Sequence, residues 1–512
     1  MRTVTLVLFL LGFLSPRHAR AVDAPARRPN IVYILADDLG YGDVKSLNPE
    51  GKILTPNMDL LAKEGMRFTD AHSSSAVCTP TRYGILTGRY NWRSRLKSGV
   101  QGGMSPDLIE PGRLTVPAFL KQHGYHTACI GKWHLGFDWK RHPGAAPFGD
   151  NIEKGEEGWR ADFSKPFGGG PLAVGFDTFF GIAASLDMVP YTFLENDRVL
   201  EIPTVEKSFP MTADKMKSGH TRMGPAAAGF EAENVLPELT KRAVGYIQSR
   251  AQTATKGNPF FLYLPLNSPH TPIVPSPEWK GKSGISPYAD FVMQTDGALG
   301  AVLGALNDAG LAEDTLVVMT SDNGCAPQAD FAELAAHGHN PSFTFRGTKA
   351  DIFDGGHHIP FIARWPAKVQ PGSIYTGMVC LNDLFATVAE ILDKPLPKEA
   401  AEDSVSILPA LLGKTVAPIR KTLIHHSANG TFAIRQGSWK LILGSDSGGW
   451  SAPKPNTPES QTLPAVQLYN MKDEGDEVRN RQAEEPGVVA RMTRQLLKEI
   501  SNGSTAGAPS IP

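Results

Sequence analysis

Apolar residues in this chain cluster in short continuous runs, and most runs are followed by a helical pattern. Asn30-Ile-Val-Tyr-Ile-Leu35 is apolar and β-branched and ends in Ala36-Asp37-Asp38. Such a run predicts a strand buried on both faces. His126 to Ile130, Pro259 to Pro265, Thr315 to Thr320 and Ile359 to Arg364 repeat the pattern. Between them lie segments with helical spacing. Thr55-Pro56 supplies an N-cap and a proline at the first position, ahead of Met58, Leu61 and Ala62, and Gly65 closes the helix. Leu114 to His123, Pro237 to Arg250, Tyr288 to Ala309 and Asn382 to Leu392 predict further helices. Alternating strands and helices predict an α/β fold, a large sheet flanked by helices on both faces. In such sheets ligands bind beyond the carboxyl ends of the strands. Four of those ends carry polar chemistry: Asp37-Asp38, Lys132 with His134, His270, and Asp322-Asn323.

After Leu412-Gly413 the pattern changes. Thr422 to His426, Thr431 to Arg435, Trp439 to Leu443 and Val466 to Tyr469 are short strand-like runs, with Gly430 and Gly437 at turns. Pro486 to Ile500 predicts a last helix. We therefore expect a main domain over 22–413, a smaller antiparallel sheet plus helix over 414–501, and a disordered tail at 502–512. Arg2, the apolar stretch Val4 to Leu14 and the small-x-small site Ala19-Arg20-Ala21 predict a signal peptide over 1–21, hence a secreted or periplasmic protein. No later apolar run approaches the roughly 18 residues of a transmembrane helix, so no membrane span is expected.

Charge narrows the function. Lys+Arg total 51 and Asp+Glu 52, so no global basic field exists to hold nucleic acid. The cysteines form no Cys-x-x-Cys pair; Cys129, Cys325 and Cys380 sit beside apolar residues and are expected as buried free thiols. Cys78 differs. It opens Cys78-Thr79-Pro80-Thr81-Arg82, followed by Leu86-Thr87-Gly88-Arg89. Pro80 predicts a helix start, which places Cys78 at an N-terminus that favours an anion, with the Arg82 charge one turn on. Asp37, Asp38, Asp322 and Asn323 are all oxygen donors, a set that suits Ca²⁺ or Mg²⁺ more than zinc.

The Cys-x-Pro-x-Arg…Leu-Thr-Gly-Arg string resembles the signature of the sulfatase family, and Gly131-Lys132-Trp133-His134-Leu135-Gly136 resembles its second signature. The resemblance spans about Pro29 to Trp365 and implies an alkaline-phosphatase-like fold, with a large mixed sheet, and hydrolysis of sulfate esters. It implies that a formylglycine-generating enzyme converts Cys78 to the aldehyde formylglycine, whose hydrate is the nucleophile. One Ca²⁺ would be bound by Asp37, Asp38, Asp322, Asn323 and the residue derived from Cys78. Lys132 and His134 would hold the formylglycine oxygen, with His134 accepting a proton when the sulfated hydrate collapses. His270, in Ser268-Pro269-His270-Thr271-Pro272, would protonate the leaving oxygen, and Lys349 and Arg82 would stabilise the sulfuryl charge.

Ser185 is a looser match to a sulfate-contacting serine. Arg346, His337 and His339 precede Lys349 and are either substrate contacts or solvated loop residues. One departure is His358, which follows Gly355-Gly356-His357 where the family often has arginine. Secretion and long loops favour a sulfated carbohydrate substrate, for which Trp450 is a candidate stacking platform or else a domain-interface residue. The rivals are a phosphatase or phosphodiesterase of the same superfamily and a secreted, non-catalytic sulfoglycan-binding protein.

Overall fold

The computed structural model describes residues 28–213, 219–472, 475 and 477–502. The expected signal peptide and the tail beyond 502 lie outside the described residues. The main sheet is built from β1 (Asn30–Asp37), β2 (Met66–Phe68), β3 (His126–Lys132), β4 (Thr178–Ile182), β5 (Leu194–Glu195), β6 (Arg198–Val199), β7 (Phe260–Pro269), β8 (Thr315–Ser321), β9 (Phe361–Arg364) and β10 (Ser373–Tyr375). Their order is β10-β2-β9-β8-β1-β7-β3-β4-β5-β6. The centre, β8-β1-β7-β3-β4, is wholly parallel. Antiparallel pairs at β8–β9, β9–β2, β4–β5 and β5–β6 make the sheet mixed, as expected. Every residue of β1 is buried, which is why its sequence runs apolar without alternation.

Helices flank this sheet: α1 (Pro56–Glu64), α2 (Cys78–Thr87), α3 (Val116–Gln122), α4 (Val235–Thr255), α5 (Pro287–Asp308) and α6 (Leu384–Ile391). α1, α4 and α5 pack into one layer and α2, α3 and α6 into another. Thr115 caps α3 by accepting from the Ala118 N–H, and Ser286 caps α5 likewise. Thr55 does not cap α1: its hydroxyl accepts from the Lys45 N–H at 3.0 Å instead. β2, β4, β5, β6 and β10 were not foreseen, being too short or too glycine-broken to show a period. In β4 a Cβ on Gly181 would lie 1.8 Å from the Gly131 carbonyl oxygen, so close strand approach, not propensity, selects that residue.

β11 (Thr422–His426), β12 (Phe432–Gln436), β13 (Trp439–Ile442) and β14 (Gln467–Asn470) form a second, antiparallel sheet in chain order. α7 (Pro486–Ser501) packs on β12 and β13, burying Met492 and Leu496 against Ile434, Leu441 and Leu468. The chain leaves the first sheet after β10 and enters the second at Thr422. Cys129, Cys325 and Cys380 are free and buried, as expected. Among the described residues no helix is long and apolar enough to cross a membrane.

A buried histidine cluster joins the second sheet to the segments that follow β2 and precede β9. His72 Nε2 lies 2.7 Å from Asp70, His72 Nδ1 lies 3.1 Å from His357 Nδ1, and the Lys440 ammonium lies 3.1 Å from His357 Nε2. His425 stacks on His357 at 3.9 Å between ring centres. His72 Nε2–H donates to Asp70, and His357 Nε2 meets both the Lys440 ammonium and the Ile352 carbonyl, the latter at 3.1 Å. The Lys440 ammonium opposes a further positive charge among the rings. Burial, with His358 beside it, brings the His72 pKa down to about 4, and burial lowers His357 and His425 as well. An unfolded histidine titrates near about 6.5. Between that value and the depressed native one, the unfolded chain binds protons that the folded one refuses. Stability is therefore full above pH ~6.5 and is lost as pH falls toward ~4. The melting temperature should drop progressively over that window. His425→Phe keeps the stack and removes a ring whose nitrogens have no hydrogen-bond partner, so it should flatten the drop.

Candidate active site

The four polar strand ends foreseen in the sequence belong to four adjacent parallel strands, β8-β1-β7-β3. Their carboxyl termini therefore deliver Asp322-Asn323, Asp37-Asp38, His270 and Lys132 to one edge of the sheet. α2 enters there, with extended Val77 as its N-cap and Cys78 as its first residue. The helix is buried throughout its length. Gly84 permits this, because a Cβ there would lie 2.2 Å from the Asn382 side-chain oxygen. Asp38 and His134 hold left-handed backbone, with φ of 66° and 59°. Non-glycine residues adopt that region at a cost, a form of strain concentrated at functional sites.

The side chains interlock. Lys132 Nζ donates to Asp37 at 2.6 Å. Arg82 donates twice to Asp322, at 2.7 and 3.0 Å, and once to the Lys132 carbonyl at 3.0 Å. Lys349 Nζ lies 2.6 Å from one Asp38 oxygen and 2.9 Å from the other. Asn323 donates to Asp38 at 2.7 Å, and the Asp38 N–H donates to Asp322 at 3.2 Å. Cys78 Sγ stands 3.7 Å from Asp37, and His270 Nε2 3.7 Å from Asp38. Arg82 and Lys132 are fully buried charges, tolerable only because carboxylates face them.

Electrostatics follow from this packing. Burial alone would raise the Asp37 carboxyl, but Lys132, His270, Arg82 and Lys349 together hold it well below the usual range. Asp322 goes the other way, raised by burial and by Asp37. Burial pushes the Cys78 thiol up to about 12 against the pull of Lys132 and Lys349, so an unmodified thiolate is not populated near neutral pH. Burial, Lys132 and Arg82 keep His134 neutral. Its Nε2 lies 2.8 Å from the Gln101 carbonyl, so that nitrogen is the donor, and the buried Nδ1 keeps a free lone pair. His270 Nδ1 likewise donates to the Thr271 carbonyl at 2.6 Å, leaving Nε2 as the nitrogen beside Asp38.

Cys78, His134, His270, Lys349, Asp38 and Ser185 line one cavity of about 230 Å³. Ser185 is buried in its wall with an unpartnered hydroxyl. The neighbours of Lys349 in sequence go elsewhere. His337 is exposed. His339 is buried against Asp43 at 2.8 Å, and Arg346 stacks on Phe353 at 3.8 Å and donates to the Glu477 carbonyl. His358 bonds Asp354 and the Thr69 carbonyl and stacks on Phe345, so it contributes to the core and not to the Lys349 contact. Trp450, from the second sheet's long loop, lines the cavity while 44% exposed. Sequence reading passed over Arg222 and gave Asp187 no role; the pair is joined at 2.9 Å in the same wall. No motif marks them, since they sit on loops 35 residues apart.

Three carboxylates and an amide oxygen meet a divalent cation's preference for hard donors. The Asn323 side-chain oxygen is buried without a partner, as a cation ligand held ready would be. Asp37, Asp38, Cys78 and His270 bring ligand-capable atoms within 4.8 Å of one another.

The sulfatase family profile matches residues 29–394, and the chain belongs to the sulfatase family, whose members are sulfuric ester hydrolases. It is 33% identical over 510 residues to the N-acetylgalactosamine-6-O-sulfatase of Bacteroides thetaiotaomicron, covering 93% of each protein. It is 32% identical to human arylsulfatase A over 81% of this chain and 75% of that one. A solved Bacteroides thetaiotaomicron structure described under glycosaminoglycan metabolism superposes with a TM-score of 0.78 at 32% identity, over 93% of this chain and 99% of the other. The fold is that of sulfatases, alkaline-phosphatase-like.

Proposed function

We propose that this protein releases inorganic sulfate from a sulfated carbohydrate, using a formylglycine made from Cys78 and one Ca²⁺, in the periplasm or outside the cell. The observation that supports this most is the placement of Cys78 at a buried helix N-terminus, among Arg82, Lys132 and Lys349 and beside four oxygen donors. The carbohydrate follows from the relative named as an N-acetylgalactosamine-6-O-sulfatase. Asp37, Asp38, Asp322 and Asn323 would hold the cation, which with the formylglycine would supply charge neutralisation and an oxygen nucleophile.

The chain's own residues do the rest. Arg82, clamped on Asp322, fixes a positive charge one helical turn from residue 78. Lys349 and Lys132 add two ammonium groups where negative charge on the sulfuryl oxygens grows. His270 is the general acid: Nδ1 is committed to the Thr271 carbonyl, so Nε2, beside Asp38, is the nitrogen that serves the leaving oxygen. His134 is the base at residue 78, through its free Nδ1.

The reaction test pairs peptide mass spectrometry across Cys78, in protein from a host that makes formylglycine, with sulfate release. A thiol-to-aldehyde mass change together with release is expected. An intact thiol without release would leave the non-catalytic binding reading. The cation is tested apart from activity. Adding Ca²⁺ to chelator-treated protein should raise the melting temperature, by an amount corresponding to about 2.7 kcal/mol at a hundred times Kd. Asp38→Asn should remove the Ca²⁺-dependent increment. An equal response to zinc alone would point instead to the phosphatase-type rival.

A further inference from the structure

The cavity has a wall that no catalytic role uses. Asp187 Oδ2 accepts from Arg222 Nη1 at 2.9 Å, and the same Nη1 also reaches the Asp187 carbonyl at 2.8 Å. The other oxygen, Asp187 Oδ1, is buried with no partner. An unsatisfied buried carboxylate oxygen is costly, and its place in a cavity wall points to a hydroxyl that arrives with a ligand. The Arg222 side chain is 36% exposed, so its remaining donors are reachable.

Trp450 contributes an apolar surface to the same cavity while 44% exposed. Its backbone is pinned. The Trp450 and Ser451 N–H groups both donate to Asp351 Oδ1, at 2.7 and 3.0 Å, two residues from Lys349. Gly449 beside it lies so close that a Cβ would meet the Ala350 backbone and Asp351 Oδ1 at 2.5 Å. The loop from the second sheet is thus tied to the loop that carries Lys349, which fixes the Trp450 backbone at the cavity wall. An exposed indole fixed in a cavity is a stacking platform with one apolar face available.

We propose that Trp450, Asp187 and Arg222 are the residues that select the sugar: the indole takes the apolar face of one pyranose ring, and the Asp187–Arg222 pair binds hydroxyls of that ring. The pair carries no net charge and presents a bare carboxylate oxygen, so it selects a neutral hexose or N-acetylhexosamine over a uronate. The cavity, at about 230 Å³, lies below the roughly 300–1,000 Å³ of drug-sized pockets, which suits one ring and not a run of several. This rests on the carbohydrate reading above.

The experiment measures kcat and KM for N-acetylgalactosamine 6-sulfate, and Ki for inorganic sulfate, in the wild type, Trp450→Ala, Asp187→Asn and Arg222→Gln. Inorganic sulfate probes the anion site without the sugar. Each variant is expected to raise KM about tenfold or more, the cost of a lost stacking or charged hydrogen-bond contact, while Ki for sulfate stays within about twofold. A sulfated uronate should be a poorer substrate of the wild type. Unchanged KM in all three variants, or Ki rising in step with KM, overturns the assignment while leaving the enzyme a carbohydrate sulfatase. If the wild type releases sulfate from aryl sulfates but from no sugar sulfate, the carbohydrate reading falls and this one with it.

Discussion

Replacing Cys78 by serine is expected to abolish multiple-turnover sulfate release, by at least about 10⁴-fold, with the protein still folded and still binding Ca²⁺. Cys78 is 2% exposed and heads a helix whose every residue is buried, and serine is slightly smaller, so the packing survives. The loss is chemical. A serine has a single hydroxyl, whereas a hydrated aldehyde has two, one to attack and one to expel the product. A variant with one hydroxyl can react once at most. A stoichiometric burst of leaving group without further turnover is therefore the sharper signature, and it separates this reading from a serine-type phosphatase, which would turn over. Full activity of Cys78→Ser would sink the formylglycine assignment. The unmodified thiol offers no escape route, because burial holds it protonated near neutral pH. A melting curve within a few degrees of wild type, with the Ca²⁺ increment intact, shows that the loss is not misfolding.

The central sheet was legible because burial on both faces removes the reason for alternation. β1 and β8 therefore stand out as unbroken apolar runs, bounded by the buried carboxylates Asp37 and Asp322. The candidate reacting residues were legible for a related reason. Asp37, Lys132, His134, His270, Asp322 and Asn323 sit at or just beyond the ends of parallel strands and Cys78 at a helix start, so local sequence names them and parallel pairing collects them. The second signature shows the limit. Lys132 and His134 could be named, but not the left-handed backbone of His134 or the Gln101 carbonyl that fixes its tautomer, since Gln101 lies 33 residues away. The same holds for the cavity wall. Asp187 and Arg222 are defined only by each other, across loops with no period, and Trp450 becomes a wall residue only because Asp351 grips its backbone. His339 and Arg346 illustrate the converse: polar residues close to Lys349 in sequence that the fold spends on Asp43 and Phe353.

His270→Ala should divide substrates by their leaving groups. A sugar alkoxide is a poor leaving group and needs a proton as the ester bond breaks; a nitrophenolate leaves without one. General-acid catalysis contributes about 10²–10⁴-fold. The variant should lose that much in kcat toward a sugar sulfate and far less toward 4-nitrophenyl sulfate. KM should change little, because His270 touches the leaving oxygen and not the ring. This separates His270 from Trp450 and Asp187, whose replacement should appear in KM for the sugar. The tautomer strengthens the case. Nδ1 is committed to the Thr271 carbonyl at 2.6 Å, so only Nε2, 3.7 Å from Asp38, can exchange a proton with substrate. Equal losses on both leaving groups would mean that His270 stabilises sulfuryl charge instead of delivering a proton, and the acid would then have to be sought among the other groups lining the cavity.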